Sequence, residues 1–367
     1  MRRAALLGNP DTKRTQYLQQ AAKEVGLPLA FVDWKEWRDG LSKLLRQDAP
    51  DGILLKIDPP LWESCILGEL DGLAGSYQLQ LQEIGQMAEP YGVEFFNHPA
   101  AITALLDKGA CKETLAHAGL PVTELLAKNL PDRTPKFAQD HAAACPTIHN
   151  AAQLLELMQR SNISQVFIKP INGSGAAGVS AFRWQRRSGK MALYTCAMEH
   201  PQMGLANTKR LRRFSDTDTV VRLLDQLLGM GCILERWHAK AQYQGYSYDL
   251  RAVVQDGRLD YLLARLSKGP ITNLQLNNRP LDIDALELPA SVVDAVTDLC
   301  LRALALYPGL TSAGIDILLE RGNLRPRIIE MNGQGDLIYQ DIYRQNTIYR
   351  HQAEILKQQK RETKKNV

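Results

Sequence analysis

The sequence predicts a small doubly wound parallel sheet in about the first hundred residues, which is an α/β arrangement, followed by an α+β region. Short apolar runs alternate with helical patterns in residues 1–100. From Cys232 onward strand patterns dominate, interrupted by one helical pattern at 292–306. The length of 367 residues and the 45% share of hydrophobic residues are those of a globular chain with two or three domains.

The N-terminal elements are predicted from the period of the apolar residues. Runs of strand length recur between helical patterns, as in a parallel sheet covered by helices. The predicted strands are 4–7, 28–32, 52–55 and 93–96, and the predicted helices begin near Thr15, Trp34 and Gln78. Ligands of such sheets bind at the carboxyl ends of strands. The loops 8–10 and 56–60, the second with Lys56 and Asp58, are therefore candidates for substrate contact.

A loop of small residues follows a strand in the middle of the chain. Apolar residues 166–168 lead into Lys169, and five further candidate residues follow it. These are Asn172, Gly173, Ser174, Gly175 and Gly178. Glycines let backbone N–H groups approach an anion, which is typical of a phosphate site. It is not a Walker loop, because no Gly-Lys-Ser/Thr follows and the next element is predicted to be a strand; a glycine-rich hairpin tip is the alternative.

Two strand patterns near the C-terminus, 314–319 and 327–332, carry oxygen-bearing side chains. A five-residue loop at 321–325 would set Asp316 opposite Glu330 and Gly314 opposite Asn332. Strand side chains alternate between faces, so Asp316, Glu330 and Asn332 share one face. Opposed Cβ atoms lie about 5 Å apart, which two carboxylates tolerate around a divalent cation, and these ligands suit Mg²⁺ that also binds phosphates. The alternative is a solvated outer face.

A further polar pair is predicted on neighbouring strands. Asp249 and Arg251 lie on one face of the strand at 246–253, and a return strand ends at Arg265. A two-residue turn would place Arg265 on the opposite face. A three-residue loop at 256–258 with a glycine bulge would set Arg265 opposite Asp249, and we predict this bulged loop.

The order of these motifs resembles that of the ATP-grasp superfamily. The motifs, in chain order, are Asp107-Lys108, Ile168-Lys169-Pro170 with its glycine loop, Ile233-Leu234-Glu235-Arg236-Trp237, Asp249-Leu250-Arg251, Ala264-Arg265, Thr272-Asn273-Leu274, Gly314-Ile315-Asp316 and Ile329-Glu330-Met331-Asn332. The likeness covers about residues 1–345. It is strongest to the branch of glutathione synthetase and the ribosomal-protein glutamate ligase and, within that branch, to a bacterial subfamily without an assigned substrate.

The resemblance implies an ATP-grasp fold in which ATP lies between two α+β subdomains. Lys108 and Lys169 would contact the phosphates, and the loop at 172–178 would close over them as a lid. Glu235, with Arg236 and the backbone near Trp237, would meet the adenine.

The same resemblance implies roles for the remaining candidates. An acidic residue would bind the ribose, with Asp249 as the candidate, and Arg265 would stabilise the transferred phosphoryl group, with Asn273 and Arg251 lining the site. Two Mg²⁺ ions, or Mn²⁺ in their place, would be held by Asp316, Glu330 and Asn332.

The resemblance also implies the domain organisation. An N-terminal doubly wound domain would span 1–105. The ATP-grasp small subdomain with the glycine-rich lid would span 106–235, and the C-terminal subdomain with the metal site 236–350. A basic tail would follow at 351–367.

These features together predict an ATP- and Mg²⁺-dependent carboxylate–amine ligase. A substrate carboxylate would attack the γ-phosphate, and an amine would capture the resulting acyl phosphate with release of ADP and phosphate. No protein nucleophile is required. Two alternatives stay open: an ATP-grasp kinase that phosphorylates a small-molecule hydroxyl, and a nucleotide-binding regulatory protein without turnover.

Composition and charge argue against several classes of protein. The net charge is +4, but the last eleven residues hold five basic residues and one acidic residue, which leaves 39 charges of each sign in 1–356. A neutral body does not favour a nucleic-acid partner. The six cysteines lack zinc-site spacing, and no apolar run reaches the 18 residues of a membrane span.

We therefore expect a cytoplasmic protein with no nucleic-acid or membrane partner. Its substrates would be small-molecule or peptide carboxylates and amines. A homodimer is compatible with the sequence.

Overall fold

The computed structural model describes residues 3–48, 52–61, 64–129, 145–173, 175–334 and 345–362. Within these ranges the strands form three sheets. The candidate Ser174 and the last five residues of the predicted tail, 363–367, lie outside the described residues.

The N-terminal elements form a parallel sheet between two helix layers. They are β1 (Arg3–Gly8), α1 (Lys13–Glu24), β2 (Leu29–Asp33), α2 (Trp37–Asp48), β3 (Ile53–Ile57), α3 (Leu70–Ala88), β4 (Glu94–Phe95) and α4 (Pro99–Ala104). The strand order is β2-β1-β3-β4. In β1, Ala4 and Leu6 pack into one core while Ala5 and Leu7 pack into another. Both faces of the sheet are therefore buried, which confirms the predicted doubly wound arrangement.

The middle of the chain forms a second, antiparallel sheet with the order β5-β10-β6-β7-β8-β9. Its elements are α5 (Lys108–His117), β5 (Leu125–Asn129), α6 (Ala151–Arg160), β6 (Gln165–Pro170), β7 (Ser180–Gln185), β8 (Lys190–His200), β9 (Gly204–Phe214), α7 (Thr217–Leu228) and β10 (Cys232–Arg236). Side chains of Asn150 and Asp216 cap α6 and α7. Both helices pack on the face that carries Val166 and Ile168, so Phe167 and Lys169 point to the opposite face.

The third sheet has the order β14-β13-β12-β15-β16, with β11 paired to β12. Its elements are β11 (Gln242–Tyr243), β12 (Tyr246–Gln255), β13 (Arg258–Ser267), β14 (Arg279–Asp282), α8 (Ala290–Ala305), β15 (Ser312–Leu319) and β16 (Pro326–Asn332), and α9 (Thr347–Glu362) follows. Leu250 and Ala252 of β12 pack with α8 in one core. Val253 and Leu263 pack with α1 and α9 in another. The side chains of Asp249 and Arg251 share the face of Val253.

Asp316 lies opposite Glu330 and Gly314 opposite Asn332, as predicted, but the path to that register differs. Nearer the turn the two strands pair one residue out of the predicted register, with Ile317 opposite Ile328. Ile329 is the extra residue of a β-bulge that restores the predicted pairing. A regular five-residue hairpin loop is therefore the wrong description of this turn.

Arg265 lies opposite Asp249, and here too a bulge sets the register. The predicted three-residue loop at 256–258 is wrong, because Gln255 pairs with Arg258 across a two-residue turn. The turn residues Asp256 and Gly257 have φ values of 47° and 74°, as the tight turns that suit a twisted hairpin require. The extra residue is Asp260, inside β13, where a sequence pattern gives no signal.

The C-terminal segment requires a correction, because most of the predicted basic tail belongs to α9. Ala353, Ile355 and Leu356 are buried among residues of α1 and the third sheet. The Lys357 ammonium donates to the Val25 carbonyl at the end of α1, where a cation also interacts favourably with the helix dipole. The helix thus holds the N-terminal domain against the third sheet through apolar residues that the charged ones obscured in the sequence.

Two expectations about composition can be compared with the described residues. None of the helices there is both long and apolar enough to cross a membrane. All six cysteines are free thiols, four of them buried.

We predict that Leu356→Ala lowers the free energy of unfolding by about 2–5 kcal/mol, because it leaves a cavity where α9 packs. Chemical denaturation at neutral pH would measure the change. Gln358→Ala, an exposed position on the same helix, is the control and should stay within about 0.5 kcal/mol of the unmodified protein. Equal stability of the two variants would contradict the packing role of α9.

Candidate active site

Two adjoining cavities lie where the three sheets meet. The first lies between the second and third sheets, with the apolar side chains of Phe167, Ile271 and Leu318 in its wall. The second is larger, about 410 Å³ against about 80 Å³, and extends to Arg14 and Tyr77 of the N-terminal domain. Both are lined by Lys108, Gly173, Gly175, Asn273 and Glu330. Predicted phosphate and metal residues therefore mark the boundary between the two cavities.

Lys169 projects from β6 and forms a buried ion pair. Its Nζ lies 2.9 Å from Glu235 Oε2 on the neighbouring strand β10. Thr123 Oγ1 donates to the same oxygen at 2.7 Å. Burial alone would raise the pKa of Glu235, but Lys169 and a second lysine, Lys112, outweigh burial and lower it. Glu235 is therefore an ionised carboxylate that pairs with the two lysines and accepts from Thr123.

The glycine loop has the backbone that its composition predicts. Gly173, Gly175 and Gly178 have φ values of 128°, 67° and 68°, which side chains disfavour. A Cβ at Gly178 would lie 2.8 Å from the Pro170 ring, so the loop turns back closely on the end of β6. Asn172, predicted to meet phosphate, donates at 2.8 Å to Asp71 of α3.

Four charged side chains alternate in sign across β13, β12 and β15. The Arg265 guanidinium donates to both oxygens of Asp249, at 2.8 and 2.9 Å. It also lies 2.9 Å from Asp316, whose other oxygen is 2.8 Å from Arg251. Burial alone would lower the pKa of Arg265, but Asp249 and Asp316 raise it. Each buried charge thus has a partner of opposite sign.

Asp249 is the sequence candidate for binding the ribose, and its carboxylate already has several partners in the protein. Besides Arg265, its carboxylate accepts from Thr272 Oγ1 and lies 3.5 Å from Lys240 Nζ. A carboxylate has about four lone-pair positions, and these partners use them. Asp249 lines the first cavity, but the ribose role stays a prediction.

The proposed metal residues fit Mg²⁺ by their chemistry. Asp316, Glu330 and Asn332 supply two carboxylates and one amide on one face, with Asn332 Nδ2 3.3 Å from Glu330 Oε1. Burial would raise the pKa of Glu330, but Lys108, Lys169 and Arg251 lower it to about 2. Glu330 is therefore ionised at neutral pH. Among the described residues no group of three or more His, Cys, Asp or Glu forms a metal cluster.

Of the remaining candidates, some line the two cavities and others do not. Arg236 lines the first cavity and pairs with Glu124. Trp237 is absent from that lining; its ring packs on Phe167 with centroids 5.2 Å apart. Lys56 and Asp58, expected at the substrate, pair with each other and line a smaller cavity beside the second one.

Sequence patterns did not indicate two buried lysines near the site. Lys240 donates to Thr272 at 2.7 Å and supports Asp249. Lys112 lies 3.2 Å from Glu235. Its one available signal is its position, because it follows Lys108 by four residues and so lies one turn further along the same helix face.

Comparison with solved structures shows which known fold this chain resembles. No protein-family model and no curated protein matches this chain. The solved ATP-grasp ligase PsnB complexed with minimal precursor is 17% identical, with a TM-score of 0.56 over 98% of this chain and 99% of that one. Macrocyclase MdnC from Microcystis aeruginosa MRC, bound with precursor peptide MdnA, is 13% identical, with a TM-score of 0.57 over 97% and 99%.

A ligase with a different substrate matches as well. D-alanine–D-alanine ligase from Bacillus anthracis, complexed with ATP, is 12% identical, with a TM-score of 0.51 over 100% of this chain and 99% of that one. At such identities the likeness establishes the fold. The chain has the ATP-grasp fold.

The sequence predicts that this loop binds nucleotide phosphates, and on that prediction Gly178→Ala should weaken nucleotide binding at least about tenfold, because the added Cβ would displace the loop from Pro170. Gly189→Ala is a matched control, since Gly189 has the same φ of 68° and nothing within 4 Å of the added atom. Both variants carry the backbone strain of about 1–2 kcal/mol, and only the first meets the ring. Calorimetric titration with AMPPNP would measure affinity; equal affinities would contradict the prediction.

Stability should fall in acid as Asp249 is protonated. Burial would raise the pKa of Asp249, but Arg265 and Lys240 lower it to about 2 from a model-peptide value of 3.8. The stabilisation is present above pH 4 and is lost as pH falls towards 2, by an amount of about 2 kcal/mol.

Urea unfolding between pH 7 and pH 2.5 would test this dependence. Asp249→Asn should be less stable at pH 7 and lose less stability on acidification. Glu156→Gln, which removes an exposed ion pair, should follow the unmodified protein. An Asn variant with the unmodified pH dependence would count against the prediction.

Proposed function

We propose that this protein is an ATP- and Mg²⁺-dependent carboxylate–amine ligase that acts through an acyl phosphate. The observation that carries the proposal is the boundary between the two cavities, at Lys108, Asn273 and Glu330. One cavity has the apolar walls and buried lysine that suit a nucleotide. The other is larger, opens towards the N-terminal domain and suits the molecules to be joined.

In this proposal the γ-phosphate lies at that boundary. Lys108 and Lys169 bind phosphate oxygens, and the glycine loop covers them with backbone N–H groups. The substrate carboxylate attacks phosphorus from the second cavity while the bond to ADP breaks. The amine then attacks the acyl carbon, phosphate leaves, and the amine proton passes to phosphate or solvent.

The remaining candidates take the roles that the resemblance implies. Asp316, Glu330 and Asn332 would hold the two Mg²⁺ ions, which neutralise phosphate charge when bound. Glu235, Arg236 and the backbone near Trp237 would meet the adenine. Arg265, already fixed by Asp249 and Asp316, would present its remaining N–H groups to the transferred phosphoryl group.

The substrates are proposed as a class. PsnB and MdnC are solved with precursor peptides, whereas the D-alanine ligase acts on a small molecule. Both classes fit a carboxylate and an amine in the second cavity. Membership of the glutathione synthetase and ribosomal-protein glutamate ligase branch, cytoplasmic location and homodimer formation stay predictions from the sequence.

Trapping with hydroxylamine tests the proposal without knowledge of the amine. The protein is incubated with ATP, Mg²⁺, hydroxylamine and single members of a panel of amino acids, dicarboxylates and short acidic peptides. Carboxylate-dependent formation of ADP and a hydroxamate is expected, because hydroxylamine captures an acyl phosphate. A stable phosphate ester would indicate the kinase instead. AMPPNP binding without ATP consumption on any member would favour the regulatory protein.

Glu330→Gln provides the matched variant for that assay. It removes the charge that would bind Mg²⁺ and keeps the shape, so turnover should fall at least about 100-fold. Glu320→Gln, at the other end of the same two-stranded unit and paired with Arg327, should leave turnover unchanged. Full turnover by Glu330→Gln would exclude this metal site.

A further inference from the structure

Lys112 is a buried lysine whose contacts connect different parts of the candidate site. It is 4% exposed in α5. Its Nζ donates to Thr123 Oγ1 at 2.7 Å and to the Ile329 carbonyl at 2.9 Å, and it lies 3.2 Å from Glu235 Oε1. An ammonium group has three donors, and three oxygens surround this one. The cost of burying the charge is thereby offset.

The contact with Glu235 affects the electrostatics of Lys169. Glu235 is shared between two lysines, at 3.2 Å from Lys112 and 2.9 Å from Lys169. One negative charge thus faces two positive charges, and the group keeps a net charge of +1. Without Lys112, the carboxylate would neutralise Lys169 alone. Lys112 therefore preserves a positive field at the residue proposed to bind phosphate.

The contact with Ile329 affects the position of Glu330. Ile329 is the extra residue of the β16 bulge, with no partner residue on β15. The carbonyl oxygen of Ile329 accepts the hydrogen bond from the Lys112 ammonium. Nearer the turn Ile317 pairs with Ile328, and without the extra residue Asp316 would then pair with Ile329. The bulge therefore brings Glu330 opposite Asp316. Lys112 therefore stabilises the backbone that aims the proposed metal carboxylate.

We propose that Lys112 is a positioning residue that couples phosphate binding at Lys169 to metal binding at Glu330, through the Glu235 carboxylate and the Ile329 carbonyl. The inference rests on the proposed function, which assigns phosphate to Lys169 and Mg²⁺ to Glu330. If Lys112 served stability alone, its replacement would lower the fraction of folded protein and leave the affinities of the folded protein unchanged.

Lys112→Met tests the proposal, because methionine fills similar space without the charge. AMPPNP binding to the full chain is measured by calorimetric titration, without metal and across a Mg²⁺ series. We expect AMPPNP affinity without metal to fall, and Mg²⁺ affinity of the complex to fall at least about tenfold, as for other residues that support metal ligands. Combined with Glu330→Gln, the effects on Mg²⁺ affinity should be smaller than the product of the single effects.

Lys128→Met is the matched control. Lys128 is 7% exposed and lies 3.3 Å from Glu113, and it does not line either cavity. Its replacement should lower stability and leave both affinities unchanged. Equal affinities in folded Lys112→Met and Lys128→Met, or multiplicative effects with Glu330→Gln, would overturn the coupling.

A second pair of variants covers the case in which Lys112→Met does not fold. Lys112→Arg keeps the charge but moves the donors, so Mg²⁺ affinity should fall relative to Lys128→Arg; equal affinities would overturn the proposal. If the unmodified protein bound no AMPPNP, the proposed function would fail and this inference with it. That outcome is read from the unmodified protein alone and is distinct from a failure at Lys112.

Discussion

The pairing of buried charges is the constraint on which the candidate site depends. Arg265 bridges Asp249 and Asp316, and Asp316 also pairs with Arg251, so four charged side chains from three adjacent strands are held in one alternating chain. Leaving any one of them unpaired in the interior would cost several kcal/mol. The strands must therefore adopt the register that brings these residues together, and between β12 and β13 that register requires an extra residue in β13.

A second group of buried charges connects the sheets. Glu235 of the second sheet holds Lys169 from its own sheet and Lys112 from α5, and Lys112 reaches the third sheet at Ile329. One connection of the N-terminal domain to the third sheet runs through α9. Gln352 of that helix donates at 2.7 Å to Gln255, which is itself fixed by donating to Asp260 at 2.7 Å. The two cavities thus lie between three sheets. Buried polar contacts join the second sheet to the third, and the packing of α9 joins the N-terminal sheet to the third.

Much of the fold could be predicted because its signals are local. Apolar runs and their periods predicted the N-terminal strands, and the glycines of the loop at 172–178 indicated tight backbone bends. The likeness of the motif order to the ATP-grasp superfamily agrees with the fold. The bulges at Asp260 and Ile329 gave no signal, because either strand also fits a regular ladder. The sequence pattern of α9 was misleading, since its basic residues suggested a tail while Ala353 and Leu356 pack inside.

By itself the sequence determined the order of the elements, the faces on which Asp249, Arg251 and Asp316 project, and the chemical types of group at the site. Those properties follow from the backbone period and from side-chain identity. Only the tertiary structure decided which partners the buried charges take. Glu235 contacts Lys112 and Lys169, Asn172 contacts Asp71, and Lys56 pairs with Asp58. A buried charge must be paired, but which opposite charge meets it depends on how three separate sheets pack, and no local pattern records that.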